Sequence, residues 1–205
     1  MLPMEQQDFL KQFGIVTVDP QISKFRTGLP NVVVVDDFYD NPDKVRELAL
    51  QQHFEPDNRY FRGSRTKDKF LFPFAKERFE ELLGARITHW VDHQFNGVFQ
   101  YCPAGTEVVY HSDQQTYAGV VYLTPGAPPD CGTSLLRSRS TGLRRPPTEL
   151  DARKSGKTVS QLEDETYAGK LTDPSAWETI DTIGNVYNRL VIWDSKLILS
   201  LIHIS

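Results

Sequence analysis

Val108-Val-Tyr-His-Ser-Asp113 is an apolar stretch that ends in a histidine and a carboxylate with one residue between them. Side chains alternate faces along an extended segment, so His111 and Asp113 point to one side and Ser112 to the other. An imidazole nitrogen and a carboxylate oxygen on a common face supply two of the three protein ligands of a facial metal triad. They leave coordination positions open for substrate and oxygen. The plainer reading of the same residues is an exposed turn in which Asp113 accepts hydrogen bonds from Gln114 or Gln115. About eighty residues later comes a strand-like run, Asn188-Arg-Leu-Val-Ile-Trp-Asp-Ser195, which would have to pass near the pair for a third ligand to arrive.

The segments around these two runs are short and alternate with period two. Strands are expected at 86–92, 95–101, 106–111, 117–123, 133–137, 179–186 and 189–194, the pattern of an antiparallel sandwich or barrel. Turn chemistry separates them, as in Cys102-Pro-Ala-Gly105 and Thr124-Pro-Gly-Ala-Pro-Pro-Asp130. Residues 138–176 are polar with no sustained apolar period and read as a surface insertion carrying one short helix near 159–165. Upstream, Val32-Val-Val-Val-Asp36 reads as a buried strand. Asn41 and Pro42 then start a helix that presents Val45, Leu48 and Ala49 and runs to about His53. A second helix is expected over 74–83, with Phe79, Leu82 and Leu83 inward and Gly84 as its stop. The expected fold is α+β and mostly β. Residues 1–85 form a lead-in strand and helices packing on the sheet, and 86–198 form the sheet core of the same single domain.

Composition narrows the function classes. With 205 residues and 39% hydrophobic content, the chain suffices for one full core and is short for two. Twelve Phe and eight Tyr against two Met favour rigid sheet packing. A net charge of −4 and a pI near 5.7 give no electrostatic case for nucleic acid or a membrane surface as partner. No run approaches the roughly eighteen apolar residues of a membrane span, and Met1-Leu-Pro-Met-Glu5 does not open an export signal. Two cysteines, Cys102 and Cys131, support no disulfide framework, so a reducing cytoplasm is expected.

The order of these pieces resembles the iron(II)- and 2-oxoglutarate-dependent dioxygenases, in particular their prolyl-hydroxylase-like branch. The matching segments are Val108–Asp113, Ala118-Gly-Val-Val-Tyr-Leu123, Gly132-Thr-Ser-Leu-Leu136 and Asn188–Ser195, and the likeness covers roughly residues 90–198. It implies a double-stranded β-helix (jelly roll) with flanking N-terminal helices. It also implies Fe(II) held by His111 and Asp113, 2-oxoglutarate as cosubstrate, and hydroxylation of a small molecule or peptide. Tyr101 and Tyr122 are the residues it suggests for binding 2-oxoglutarate.

The chain departs from that pattern at one place. The distal histidine would fall at the position of Leu199, and the arginine that pairs with 2-oxoglutarate about ten residues later. His203, two residue pairs farther along an extended chain, would lie roughly 13 Å away. The final Leu199-Ser-Leu-Ile-His-Ile-Ser205 resembles translated adapter read-through, which makes a non-native tail and a C-terminally shortened copy the expectation. Such a chain would lack the third ligand, the arginine and the closing strand, would bind iron weakly and would not turn over. The alternative function is a non-catalytic, cupin-like ligand-binding jelly roll.

Other features carry less. His89 and His93 are four apart but lie in an extended pattern and lack the zinc-protease glutamate. His53 suits a helix end. Arg137 and Arg139 share a face and would either grip an anionic substrate or guard a sheet edge. There is no phosphate-cradling glycine loop, nucleophile elbow or Cys-x-x-Cys pair.

Overall fold

Each core strand is explained by where its side chains go. The protein is described by a computed structural model over residues 31–56, 63–128 and 130–202. In chain order the elements are β1 (Val32–Val35), α1 (Pro42–Leu50), β2 (Phe54–Pro56), β3 (Ser64–Thr66), α2 (Ala75–Leu83), β4 (Gln100–Tyr101) and β5 (Tyr117–Val121). There follow β6 (Gly132–Ser138), α3 (Glu149–Ser155), α4 (Val159–Tyr167), β7 (Trp177–Gly184), β8 (Leu190–Asp194) and β9 (Leu199–Ile202). The fold is therefore mixed, predominantly antiparallel β-sheet with a few helices; the described residues form three three-stranded sheets ordered β1-β8-β5, β2-β3-β4 and β7-β6-β9, and these do not close into a barrel.

The β8 strand shows why its sequence is an unbroken apolar run. Leu190 and Ile192 pack with Val33, Phe38 and the α2 residues Leu82 and Leu83. Val191 and Trp193, on the other face, share a cluster with Leu199 of β9, fringed by Ala118 and Val120 of β5, Leu135 of β6 and Ile183 of β7. A central strand covered on both faces needs apolar residues at every position. Side chains from two sheets thus meet in one core, and the α2 helix closes the outer face. Burying each such side chain contributes about 1.5–3 kcal/mol.

The N-terminal elements follow their local chemistry. Asn41 Oδ1 accepts from Lys44 N at 3.2 Å, Pro42 occupies the first turn, and Val45, Leu48 and Ala49 are buried. The α2 helix starts one residue later than expected, after Phe74, and Gly84 ends it in the left-handed conformation at φ 68°. The insertion holds two α-helices rather than one, and ends in a 3-10 turn at Pro174–Ala176. The α4 helix, capped by Thr158 and Gln161, lies where it was expected. The α3 helix was missed because it buries only Ala152 and so shows no apolar period; its signal is the Thr148–Asp151 capping box.

Two expected strands are not strands. Residues 86–92 run through bends, because long side chains take their backbone groups: Glu80 Oε1 accepts from Ile87 N at 2.8 Å, Asn96 donates to Trp90 O at 2.8 Å, and Lys69 Nζ donates to Val91 O at 3.1 Å. Residues 106–111 form only a single bridge, at His111. The segment 95–101 keeps its last two residues, as β4. Residues Leu199–Ile202, the start of the segment read as a non-native tail, form β9, which pairs with β6 from Leu199↔Leu135 to Ile202↔Gly132. His203, the chain before residue 31 and residues 57–62 lie outside the described residues. Among the described residues, no helix is long and apolar enough to cross a membrane.

Candidate metal centre

His111 is held by the backbone of the residue that the sequence singled out. His111 N donates to Leu199 O at 3.0 Å and Leu199 N donates to His111 O at 2.8 Å, an antiparallel hydrogen-bonded pair. Residues paired in this way project to the same face, with Cα atoms about 5.5 Å apart. Two residues on, Asp113 N donates to Ser195 O at 2.8 Å, which fastens it to the turn that follows β8. On the other side, Tyr110 N donates to Leu171 O at 2.8 Å, so the insertion lies along this edge.

The side chains converge. His111 Nε2 lies 3.8 Å from Asp113 Oδ1, with both groups partly exposed, at 37% and 26%. That is beyond hydrogen-bond range. His111 Nδ1 lies 3.1 Å from Val109 O. A carbonyl only accepts, so Nδ1 carries the proton and the lone pair of a neutral imidazole sits on Nε2, facing the carboxylate. A neutral Nε2 beside a carboxylate would set two electron-pair donors face to face, an arrangement that a shared cation would stabilise. Donors each about 2.1 Å from one ion are separated by roughly 3 Å at right angles and at most about 4.2 Å, and 3.8 Å falls inside that span.

Asp113 Oδ2 accepts from Trp193 Nε1 at 3.4 Å, a partner eighty residues away that sequence reading did not find. Leu199 is fully buried and belongs to the same apolar cluster as Trp193. Among the described residues no third His, Cys, Asp or Glu joins the pair. The donor set therefore fits two-point attachment of a divalent cation and does not by itself complete a triad.

The two tyrosines separate. Tyr122 joins the cluster that contains Leu199 and Trp193, and its hydroxyl lies 2.5 Å from Thr133 Oγ1. Burial pushes its pKa up to about 12, which keeps the phenol protonated and able to donate. Tyr101 sits on β4, in a different sheet, 56% exposed and edge-on to Phe54. Arg137 is engaged across the sheet, with Nε and Nη2 on Glu178 Oε2 at 3.0 and 2.7 Å, and Arg139 Nε donates to Trp177 O at 2.9 Å. His89 pairs with Asp92 at 2.8 Å on an exposed bend, and His93 Nδ1 accepts from Phe95 N at 3.4 Å. Cys102 Sγ accepts from Gln100 Nε2 at 3.2 Å, and burial pushes its pKa up, away from a reactive thiolate.

The profile of a family described as "Family of unknown function (DUF6445)" matches residues 17–202. The chain belongs to that family. The DUF6445 match runs through His111, Asp113, Trp193 and Leu199, so the whole site lies inside it. No curated protein and no solved structure matches the chain.

Proposed function

We propose that this DUF6445 protein is an oxygenase-like metal protein of the iron(II)- and 2-oxoglutarate-dependent kind, built on a jelly roll. In this reading the β1-β8-β5 and β7-β6-β9 sheets are the two halves of the double-stranded β-helix, with the His111 rung extending the second. The single observation behind the proposal is the geometry of the pair: Nε2 of His111, with its other nitrogen turned to a carbonyl, faces Oδ1 of Asp113 at 3.8 Å. Iron with 2-oxoglutarate and oxygen would supply the oxidising chemistry for hydroxylation. The chain's own part is to hold the two ligand atoms, keep the imidazole in the tautomer that leaves Nε2 free, and offer the partly buried Tyr122 phenol, which packs in the cluster of Trp193 and Leu199, as a donor. The substrate is a small molecule or peptide reaching the partly exposed face of the pair.

The rival is a non-catalytic, cupin-like binding domain, and one observation favours it: buried Leu199 stands opposite His111, where a third ligand would be needed. Anaerobic titration with Fe(II) separates the two. The oxygenase-like reading expects one ion per chain, lost in His111→Ala and in Asp113→Ala, and a weak visible absorption band on adding 2-oxoglutarate. Absence of stoichiometric iron in the unaltered protein would favour the rival.

A further inference from the structure

Asp113 is gripped twice by one short stretch of chain. Its backbone N–H donates to Ser195 O at 2.8 Å, and its side-chain Oδ2 accepts from Trp193 Nε1 at 3.4 Å. Trp193 is 3% exposed. Its indole has a single donor and no acceptor, and a buried N–H requires a partner, which here is the carboxylate. The ring cannot swing away, because it packs with Val191 and Leu199 between the two sheets. With Oδ2 engaged by the indole, Oδ1 is the oxygen turned to Nε2 of His111. The imidazole is fixed in the same manner from its far side by Val109 O. Each member of the pair thus has one outer hydrogen bond that selects which atom faces its neighbour.

We propose that Trp193 is a positioning residue for the Asp113 ligand, orienting the carboxylate so that Oδ1 is presented to a shared divalent cation. This rests on the metal-site reading above. Outer partners of metal ligands are worth about tenfold to a hundredfold in affinity. Trp193→Phe keeps the buried ring and removes the donor. Its affinity for Mn(II), followed by the electron paramagnetic resonance of the free ion, is expected to fall within that range. Trp90→Phe and Trp177→Phe, which alter rings outside the Asp113 contact, the Trp177 indole donating to Lys170 O, are expected to bind like the unaltered protein. A role confined to packing would lower the melting temperature of the metal-free Trp193→Phe protein and leave its Mn(II) affinity intact well below that temperature.

A second measurement needs no variant at position 193 to fold. In protein labelled with 15N-tryptophan, diamagnetic Zn(II) is expected to shift one of the three indole N–H resonances. That resonance should persist in Trp90→Phe and in Trp177→Phe, which assigns it to Trp193. If the unaltered protein binds Mn(II) and Trp193→Phe binds equally well, or if Zn(II) binds and no indole signal moves, the positioning role is overturned and the metal site stands. If the unaltered protein binds neither ion, the metal-site reading is overturned and the role of Trp193 falls with it.

Discussion

Replacing Leu199 by histidine tests the site most directly, because the structure fixes where the new side chain would start. Leu199 and His111 exchange both backbone hydrogen bonds, at 3.0 and 2.8 Å. Their side chains therefore leave the same face from Cα atoms about 5.5 Å apart, close enough for two imidazoles to reach one ion. Without metal, Leu199→His removes a fully buried aliphatic group and places a polar ring in its space, at a cost of about 2–4 kcal/mol. At about 2–4 °C per kcal/mol for a chain of this size, the metal-free variant should melt roughly 5–15 °C below the unaltered protein. Metal narrows the gap. At a hundredfold excess over its Kd the variant gains about 2.7 kcal/mol, and the unaltered protein, binding tenfold more weakly, gains about 1.4 kcal/mol at the same metal concentration. Scanning calorimetry with and without anaerobic Fe(II), joined to a titration of affinity, reads both terms. The variant should bind at least about tenfold more tightly than the unaltered protein, the equivalent of about 1.4 kcal/mol. Metal affinity unchanged by Leu199→His, or gained equally by Leu199→His with His111→Ala, would refute the claim that positions 111 and 199 face one cation.

Other outcomes follow from separate parts of the fold. Gly132 has φ 141°, and a Cβ there would lie 2.1 Å from Ile183 O, so Gly132→Ala should cost at least about 2 kcal/mol in urea unfolding; a loss under about 0.5 kcal/mol would contradict this backbone approach. The Arg189 guanidinium, at 2.6 and 3.0 Å, holds the Asp36 carboxyl below its ordinary pKa. Its contribution is present above the unfolded value near 3.9 and is lost as pH falls through the folded value. Because Asp36 is half exposed, Asp36→Asn should cost at most about 1 kcal/mol at pH 7. The gap should close below about pH 4, and a gap that widened in acid would reverse the assignment. His89→Ala should leave metal stoichiometry unchanged, since its partner is Asp92 on an exposed bend; a lost equivalent of metal would place a second site there.

What could be read from the sequence was local. The β8 strand was legible because Leu-Val-Ile-Trp has no polar position, and α1 because Asn41 and Pro42 announce its start. The contact from Val109 to His111 was equally local and could have been inferred, since it spans two residues. The segment 86–92 misled because Arg-Ile-Thr-His-Trp-Val-Asp alternates like a strand while its backbone is taken up by Glu80, Lys69 and Asn96 from elsewhere in the chain. No periodicity encodes that kind of competition.

The site divides in the same way. That His111 and Asp113 share a side follows from spacing alone, but the register that sets Leu199 opposite His111 depends on β9 pairing with β6 through Leu135↔Leu199. That register gives the departure at position 199 its physical meaning. Leu199 does not lie merely near the expected ligand position in a count of residues; its backbone is bonded to His111, and its side chain fills the core beside the indole that touches Asp113. The same geometry that makes the pair a credible half-site also puts hydrocarbon where the remaining ligand would enter. On the proposed metal-site reading, cation affinity in this chain would be set by two donor atoms and by how firmly Val109 and Trp193 hold them.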